Sequence, residues 1–172
     1  RPGGNITGLS NLATDIMPKL LEMLKAVVPK MSRIAVLMNP ANPQNAGALR
    51  NIQAAAQQIN LTISPLEART PSDIESAFAA MARQRPDALI VIGDPFLHRN
   101  GPEIGRLALH HKIPFASPNR ETIETGGLLS YGADIADIYR RGASYVDKIL
   151  KGAKPSELPV EQPTRVGLVI NR

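Results

Sequence analysis

Four short apolar runs recur along the chain at nearly even intervals. They begin at Ile34, Leu61, Ala88 and Ile113, which are 27, 27 and 25 residues apart. Between the runs, apolar residues recur every three or four positions, as on one face of a helix. Strict alternation of strands and helices is typical of right-handed βαβ units. The sequence therefore predicts an α/β fold, a parallel sheet with helices on both faces and strands at 33–38, 61–66, 88–93 and 113–116.

Helix start signals support this prediction. Thr70 precedes Pro71 and Asp73, and Asn42 precedes Pro43, so each helix is expected to begin with a polar N-cap and a proline at its first position. The pattern changes after the two glycines at 126–127. We predict a strand at 128–131, a long helix over 134–151 with one apolar side, a proline-rich linker at 155–163 and a final strand at 166–170.

The composition and the motifs argue against several classes of protein. The net charge is +5, but its Lys and Arg residues are scattered in sequence and only 3% of residues are aromatic, so we do not expect nucleic-acid binding. The lack of cysteine excludes disulfides and thiolate chemistry. Nucleophile-elbow and phosphate-loop motifs are absent, and adjacent His110 and His111 would point about 100° apart on a helix. We therefore expect no enzyme activity, no cofactor and no metal.

Polar residues follow the predicted strands. Parallel sheets bind ligands at the carboxyl ends of their strands, because the loops from several strands meet there. Asn and Asp are also ordinary turn formers, so the clustering, not any single residue, indicates a binding site. Asn offers a donor and an acceptor, and Asp94 could accept an ammonium group. The candidates at this edge are Asn39, Asn42, Asp94, Ser117 and Asn119.

Four segments together resemble the substrate-binding proteins of ABC transporters, of the tryptophan/tyrosine-binding type. The segments are PGGNITGLS at 2–10, RIAVLMNPANP at 33–43, ETGGLLSYGADIADIYRRGASYVDKILKGAKPSELPVEQPT at 124–164 and LVIN at 168–171. The resemblance covers essentially the whole chain in order. It implies a type I periplasmic-binding fold, in which two lobes close on a small solute.

The resemblance also implies how the chain is divided. Family members are roughly twice as long, and the chain opens at Arg1 without an initiator methionine, so we expect a fragment that lacks most of the first lobe. Residues 1–8 would be a hinge crossing and residues 9–123 the second, ligand-binding lobe. Residues 124–158 would be a hinge followed by a strand and helix of the first lobe. Residues 159–172 would be the last hinge, with a final strand that returns to the second lobe.

The function implied is that of an exported solute-binding component of an ABC importer, at the cell surface or in the periplasm. Its partners would be a membrane permease and a small solute, with an aromatic amino acid among the candidates. Asn11 and Tyr131 would join the cleft residues. A helix over 134–151 without its first lobe would also favour a homodimer of this chain. Two alternatives stay open: a ligand-sensing domain of a transcriptional regulator, and a small α/β enzyme with an unrecognised site.

Overall fold

The computed structural model describes residues 3–163 and 165–171, which form six strands and six α-helices. The strands are β1 (Arg33–Met38), β2 (Thr62–Glu67), β3 (Ala88–Val91), β4 (Phe115–Ser117), β5 (Leu129–Ala133) and β6 (Val166–Ile170). The helices are α1 (Met17–Val27), α2 (Pro43–Gln58), α3 (Pro71–Gln84), α4 (Pro95–Arg99), α5 (Gly101–His111) and α6 (Ile135–Leu150). None of the helices within these residues is both long enough and apolar enough to cross a membrane.

The strands form one sheet in the order β2-β1-β3-β4-β5-β6. The pairings β1–β2, β1–β3, β3–β4 and β4–β5 are all parallel. The backbone N–H of Asn171 donates to the carbonyl of Leu128, so the end of β6 lies beside the beginning of β5. The predicted parallel α/β fold is confirmed, and β1 has the predicted bounds.

Local sequence explains where the helices begin. Thr70 and Asp73 form a reciprocal capping box at α3, and the Asn42 side chain accepts from the N–H of Gln44 at α2. Both helices have proline in their first turn. The buried faces of α3 and α5 and the strands β1, β3 and β4 together supply one apolar core cluster, which includes Phe78 and Phe115.

One predicted element lies in a different place. We expected the strand at 128–131 to belong to an absent lobe, but β5 pairs with β4 in the same sheet, and that prediction is wrong. The reason is close backbone packing. A Cβ added at Gly132 would lie 1.9 Å from the carbonyl oxygen of Pro118, so only glycine lets β5 approach this loop. Leu129 and Ser130 are consequently buried.

The chain divides into two compact units. One comprises residues up to Leu12 and from Ala133 to Gly167, and the other comprises Ala13–Gly132 and the residues after Gly167. We refer to the second as the sheet unit. The divisions at 12, 132 and 167 lie four to nine residues beyond the expected 8, 123 and 158. The difference at 132 follows from β5, since a strand paired to β4 stays with its sheet. The assignment of the units to lobes stays a prediction.

The smaller unit has its own internal contacts. A parallel bridge joins Leu9 to Glu161, and Arg141 of α6 forms an ion pair with Glu161. The Tyr145 hydroxyl donates to the carbonyl of Pro159 at 2.8 Å. The opposite side of α6 is exposed and apolar: Tyr139 is 77% exposed and Leu150 is 82% exposed.

Candidate functional site

Asp94 follows β3 at the carboxyl edge of the sheet, and only 5% of its surface is exposed to solvent. It is the N-cap of α4. Its Oδ1 atom accepts from the backbone N–H groups of Phe96, at 2.8 Å, and Leu97, at 3.2 Å. The short helix α4 was not predicted, although an Asp followed by Pro95 is a helix start signal. The first role of this carboxylate is therefore to begin α4.

The same carboxylate accepts from two amides of the loop after β1. Asn42 Nδ2 donates to Asp94 Oδ2 at 2.9 Å. Asn39 Nδ2 lies 3.3 Å from Oδ1 and 3.4 Å from Oδ2. These contacts connect the loops of two neighbouring strands. We call Asn39, Asn42, Asn45 and Asp94 the Asn–Asp cluster.

The oxygen atoms of the three amides shape the turn from β1 into α2. Asn39 Oδ1 accepts from the N–H of Ala41 at 3.0 Å, and Asn45 Oδ1 accepts from the N–H of Asn39 at 3.0 Å. Sequence reasoning missed Asn45, which is 1% exposed. Its position three residues after the Asn42 cap, where a side chain can reach back, was the available signal. Its Nδ2 atom is buried without a hydrogen-bond partner among the described residues.

The loop after β4 supplies a second polar group. Ser117 is buried, and its Oγ accepts from the N–H of Asn119 at 3.3 Å. The Asn119 amide contacts His98 Nδ1 at 3.3 Å, which connects this loop to α4. Ser130, which is also buried, is the register partner of Ser117 across β4 and β5. Ser130 was not among the predicted site residues, although Tyr131 of the same strand was.

The structure brings three of the predicted residues into direct contact. Asn39, Asn42 and Asp94 share hydrogen bonds. Ser117 and Asn119 lie at the same edge of the sheet, after β4, and Tyr131 is a half-buried residue of β5. Asn11 is exposed and belongs to the smaller unit. The part of each residue in binding stays a prediction.

The geometry determines what chemistry this edge can perform. Both oxygens of Asp94 are occupied by N–H donors, so the carboxylate has little remaining capacity for a ligand ammonium group. Its negative charge is instead used to hold two loops in place. Across residues 3–163 and 165–171, no three His, Asp or Glu side chains are grouped closely enough to hold a metal ion. The arrangement is suited to hydrogen bonding of a polar molecule.

A cavity of about 340 Å³ lies in the sheet unit near α4 and the first turn of α5. Its lining includes cationic Arg99 and the carboxylates of Glu121 and Glu124. Glu103, on the first turn of α5, is paired with Arg106, and the hydrogen bond from that guanidinium holds the pKa of Glu103 below its usual value.

Comparison with known proteins gives consistent results. A curated tyrosine-binding protein from Clostridioides difficile is 23% identical over 171 residues, which are 99% of this chain and 49% of that protein. A crystal structure of an ABC domain in complex with L-Trp from Streptococcus pneumonia is 27% identical, with a TM-score of 0.86 over 99% of this chain and 58% of that one. A conserved domain protein from Vibrio cholerae is also 27% identical, with a TM-score of 0.90 over 99% of this chain and 57% of that one.

These relatives are longer than the chain described here, which spans about half of the curated protein and somewhat more than half of the two solved structures. The similarity covers the sheet, the carboxyl-edge loops and the smaller unit together, since each alignment includes almost the whole of this chain. The family model for the ABC transporter substrate binding protein matches residues 1–172, and the chain belongs to that family.

Proposed function

We propose that this protein is the exported solute-binding component of an ABC importer, which binds a small solute in a cleft between two lobes and delivers it to a membrane permease. The observation that supports the proposal most is the family match over the whole chain. The protein would act in the periplasm or at the cell surface. Its relatives are substrate-binding proteins, which agrees with a role without catalysis.

We assign the binding surface to the carboxyl edge of the sheet unit, with the Asn–Asp cluster as its scaffold. Asp94 holds Asn39 and Asn42 in fixed orientations, so these loops lose little conformational freedom when a solute binds. Each of the two amides keeps donor capacity beyond its bond to Asp94, because an Asn side chain carries two N–H donors. Ser117 and Asn119 would contribute from the neighbouring loop. In this proposal Asp94 is a positioning residue.

We propose that the solute is an amino acid with an aromatic or other apolar side chain. Two relatives bind tyrosine or L-Trp by their descriptions, and both align over 99% of this chain. Phe96 follows β3 and Tyr131 lies in β5, and both are half-buried. Each could therefore offer an aromatic ring near this edge. Polar loops would then bind the charged groups of the amino acid.

The test is calorimetric titration of the gene-encoded full-length protein with a panel of amino acids and sugars. We expect saturable binding of an aromatic amino acid. Asn39→Ala should weaken it about fivefold, since one lost hydrogen bond is worth about 1 kcal/mol. Gln53→Ala, an exposed change in the middle of α2, is the matched control and should bind like the parent. Absence of binding across the panel, or turnover of any member, would overturn the proposal.

The chain as described here provides a second comparison. A cleft closed by two lobes needs both of them, so this chain alone should show no binding at solute concentrations that saturate the full-length protein. Tight binding by this chain would place the whole site within it and exclude the two-lobed cleft.

A further inference from the structure

The net charge of the chain is concentrated at one place in the fold. In the sheet unit, four segments connect the last turn of a helix to the start of the next strand. They lead from α1 to β1, from α2 to β2, from α3 to β3 and from α5 to β4, and they cover residues 24–33, 55–62, 81–88 and 108–115. Because the strands are parallel, these segments all lie at the amino edge of the sheet. They carry six cations and one carboxylate: Lys25, Lys30, Arg33, Arg83, Arg85, Lys112 and Asp87.

Six cations and one carboxylate give +5, which equals the net charge of the whole chain. The other 14 Lys and Arg residues are balanced by the other 14 Asp and Glu residues, since the totals are 20 and 15. Cations near helix C-termini are favoured by the helix dipole, and this explains single residues there. It does not explain why the rest of the chain is neutral. We call these segments the amino-edge surface.

The cations of this surface have few counter-charges. None of the six forms a salt bridge within the described residues, although six such pairs occur elsewhere. Asp87 is committed to the backbone, because its Oδ2 accepts from the N–H groups of Ser32 and Arg33. The Arg33 guanidinium donates to the backbone carbonyl of Arg85 at 3.0 Å, which holds it beside the end of α3.

Aliphatic side chains are exposed at the same edge. Between residues 13 and 132, the large hydrophobic side chains that are exposed are Val27 at 41%, Ile59 at 38% and Leu109 at 64%. All three lie in or just after the last turns of α1, α2 and α5. Exposed aliphatic groups surrounded by Lys and Arg are typical of surfaces that lie in the interface of an anionic bilayer.

We propose that the amino-edge surface binds the anionic headgroups of a phospholipid membrane. The long Lys and Arg side chains reach the phosphates, while Leu109, Val27 and Ile59 contact the boundary of the acyl chains. A surface for single-stranded nucleic acid would instead need exposed aromatic rings, and Phe78 and Phe115 near this edge are buried. Duplex DNA is bound through its phosphates and gives no role to the exposed aliphatic side chains, which suit the boundary of the acyl chains. The carboxyl edge lies on the opposite side of the sheet, about 20 Å away along a six-residue strand. The candidate site therefore faces away from the bilayer while the protein is held there, and this inference does not depend on which solute binds.

Sedimentation with lipid vesicles tests the proposal directly. The full-length protein is mixed with phosphatidylcholine vesicles, with or without about one third phosphatidylglycerol, at about 0.05 M and 0.5 M NaCl. We expect binding to the anionic vesicles at low salt and its loss at high salt. The triple variant Lys30→Gln, Arg83→Gln, Lys112→Gln should bind about 100-fold more weakly, since three surface cations are removed. Leu109→Ser should weaken binding several-fold with no change in charge.

The matched control removes three cations elsewhere. Lys148→Gln, Lys151→Gln, Lys154→Gln lowers the net charge by the same amount on α6 and the residues after it. This variant should bind the vesicles within about threefold of the parent, because its cations lie outside the amino-edge surface. Equal losses in the two triple variants would overturn the proposal, as would binding to duplex DNA without binding to vesicles. Circular dichroism and unfolding midpoints confirm that each variant is folded.

Discussion

Replacing Asp94 by alanine tests the central structural claim about the candidate site. The carboxylate accepts from the N–H groups of Phe96 and Leu97 and from the amides of Asn39 and Asn42. Asp94→Ala removes all of these acceptors at once. The two backbone N–H groups lose their cap, and the two amides turn toward solvent or remain buried without a partner.

The size of the effect follows from these contacts. Loss of an N-cap costs about 1 kcal/mol, and a buried donor without an acceptor costs about 1–3 kcal/mol. The amides are only half-buried and can partly reach water, so the contributions do not add fully. We expect Asp94→Ala to lower the free energy of unfolding by about 2–4 kcal/mol. Asp94→Asn keeps one oxygen for α4 but presents an N–H group to Asn42, so about 1–2 kcal/mol should be lost.

Urea unfolding followed by circular dichroism measures both variants, with the midpoint and the slope fitted separately. Thr70→Ala is the matched control, because Thr70 caps α3 in the same unit but is exposed and accepts a single backbone bond. Thr70→Ala should lower the free energy of unfolding by about 1 kcal/mol. A loss from Asp94→Ala no larger than that from Thr70→Ala would show that the carboxylate does not organise these loops. The argument for Asp94 as a positioning residue would then fail.

Three further predictions concern packing, pH and association. Gly105→Ala should lower the free energy of unfolding by about 3 kcal/mol or more in thermal unfolding, because the added Cβ would lie 1.7 Å from the Thr125 carbonyl oxygen. Gly101→Ala is the control and should leave this free energy nearly unchanged, because no atom lies within 4 Å of the added Cβ. Hydrogen bonds from the backbone of Ser32 and Arg33 lower the pKa of Asp87. Its carboxylate therefore stabilises the fold above about pH 4, and this stabilisation is lost as the pH falls through the lowered pKa. Asp87→Ala should therefore cost about 1 kcal/mol at pH 7, and the cost should disappear in more acid urea titrations. The exposed apolar side of α6 should make this chain self-associate, and light scattering that reports an 18.5 kDa monomer at high concentration would contradict this.

The regular spacing of apolar runs was enough to predict the sheet because burial on both faces leaves a continuous apolar strand. β1 and β3 are buried along nearly their whole length, and both were predicted within two residues. The capping residues Asn42 and Thr70 correctly predicted where α2 and α3 begin, since a cap acts on the end of its own helix. These signals are local, and so they survive in a single sequence.

The errors arise from contacts between distant segments. Which sheet receives β5 depends on the approach of Gly132 to Pro118, and no spacing rule reports that contact. Asp94 lies at the carboxyl edge, as predicted, and its direct role in binding stays a prediction. Its hydrogen bonds to Asn39 and Asn42 join residues more than 50 positions apart. The sequence therefore could not show that the oxygen atoms of Asp94 already accept hydrogen bonds from the protein. The position of these side chains at the carboxyl edge could be predicted, but their hydrogen-bond partners could not.

The Asn–Asp cluster has a consequence for protein engineering. Apart from Asn45 Nδ2, its side chains hydrogen-bond to one another and to the loop backbone, so an exposed neighbouring position such as Ala41 contributes little to the stability of the loop. Half-buried Pro40 and exposed Ala41 lie in the loop after β1, whereas Pro95 and Phe96 begin α4 and Phe96 packs against the apolar core. A library that randomises Ala41 while keeping the cluster and Phe96 should yield many folded members, among which solute preference can be screened. The same scaffold could then be selected as a biosensor for solutes that its parent ignores.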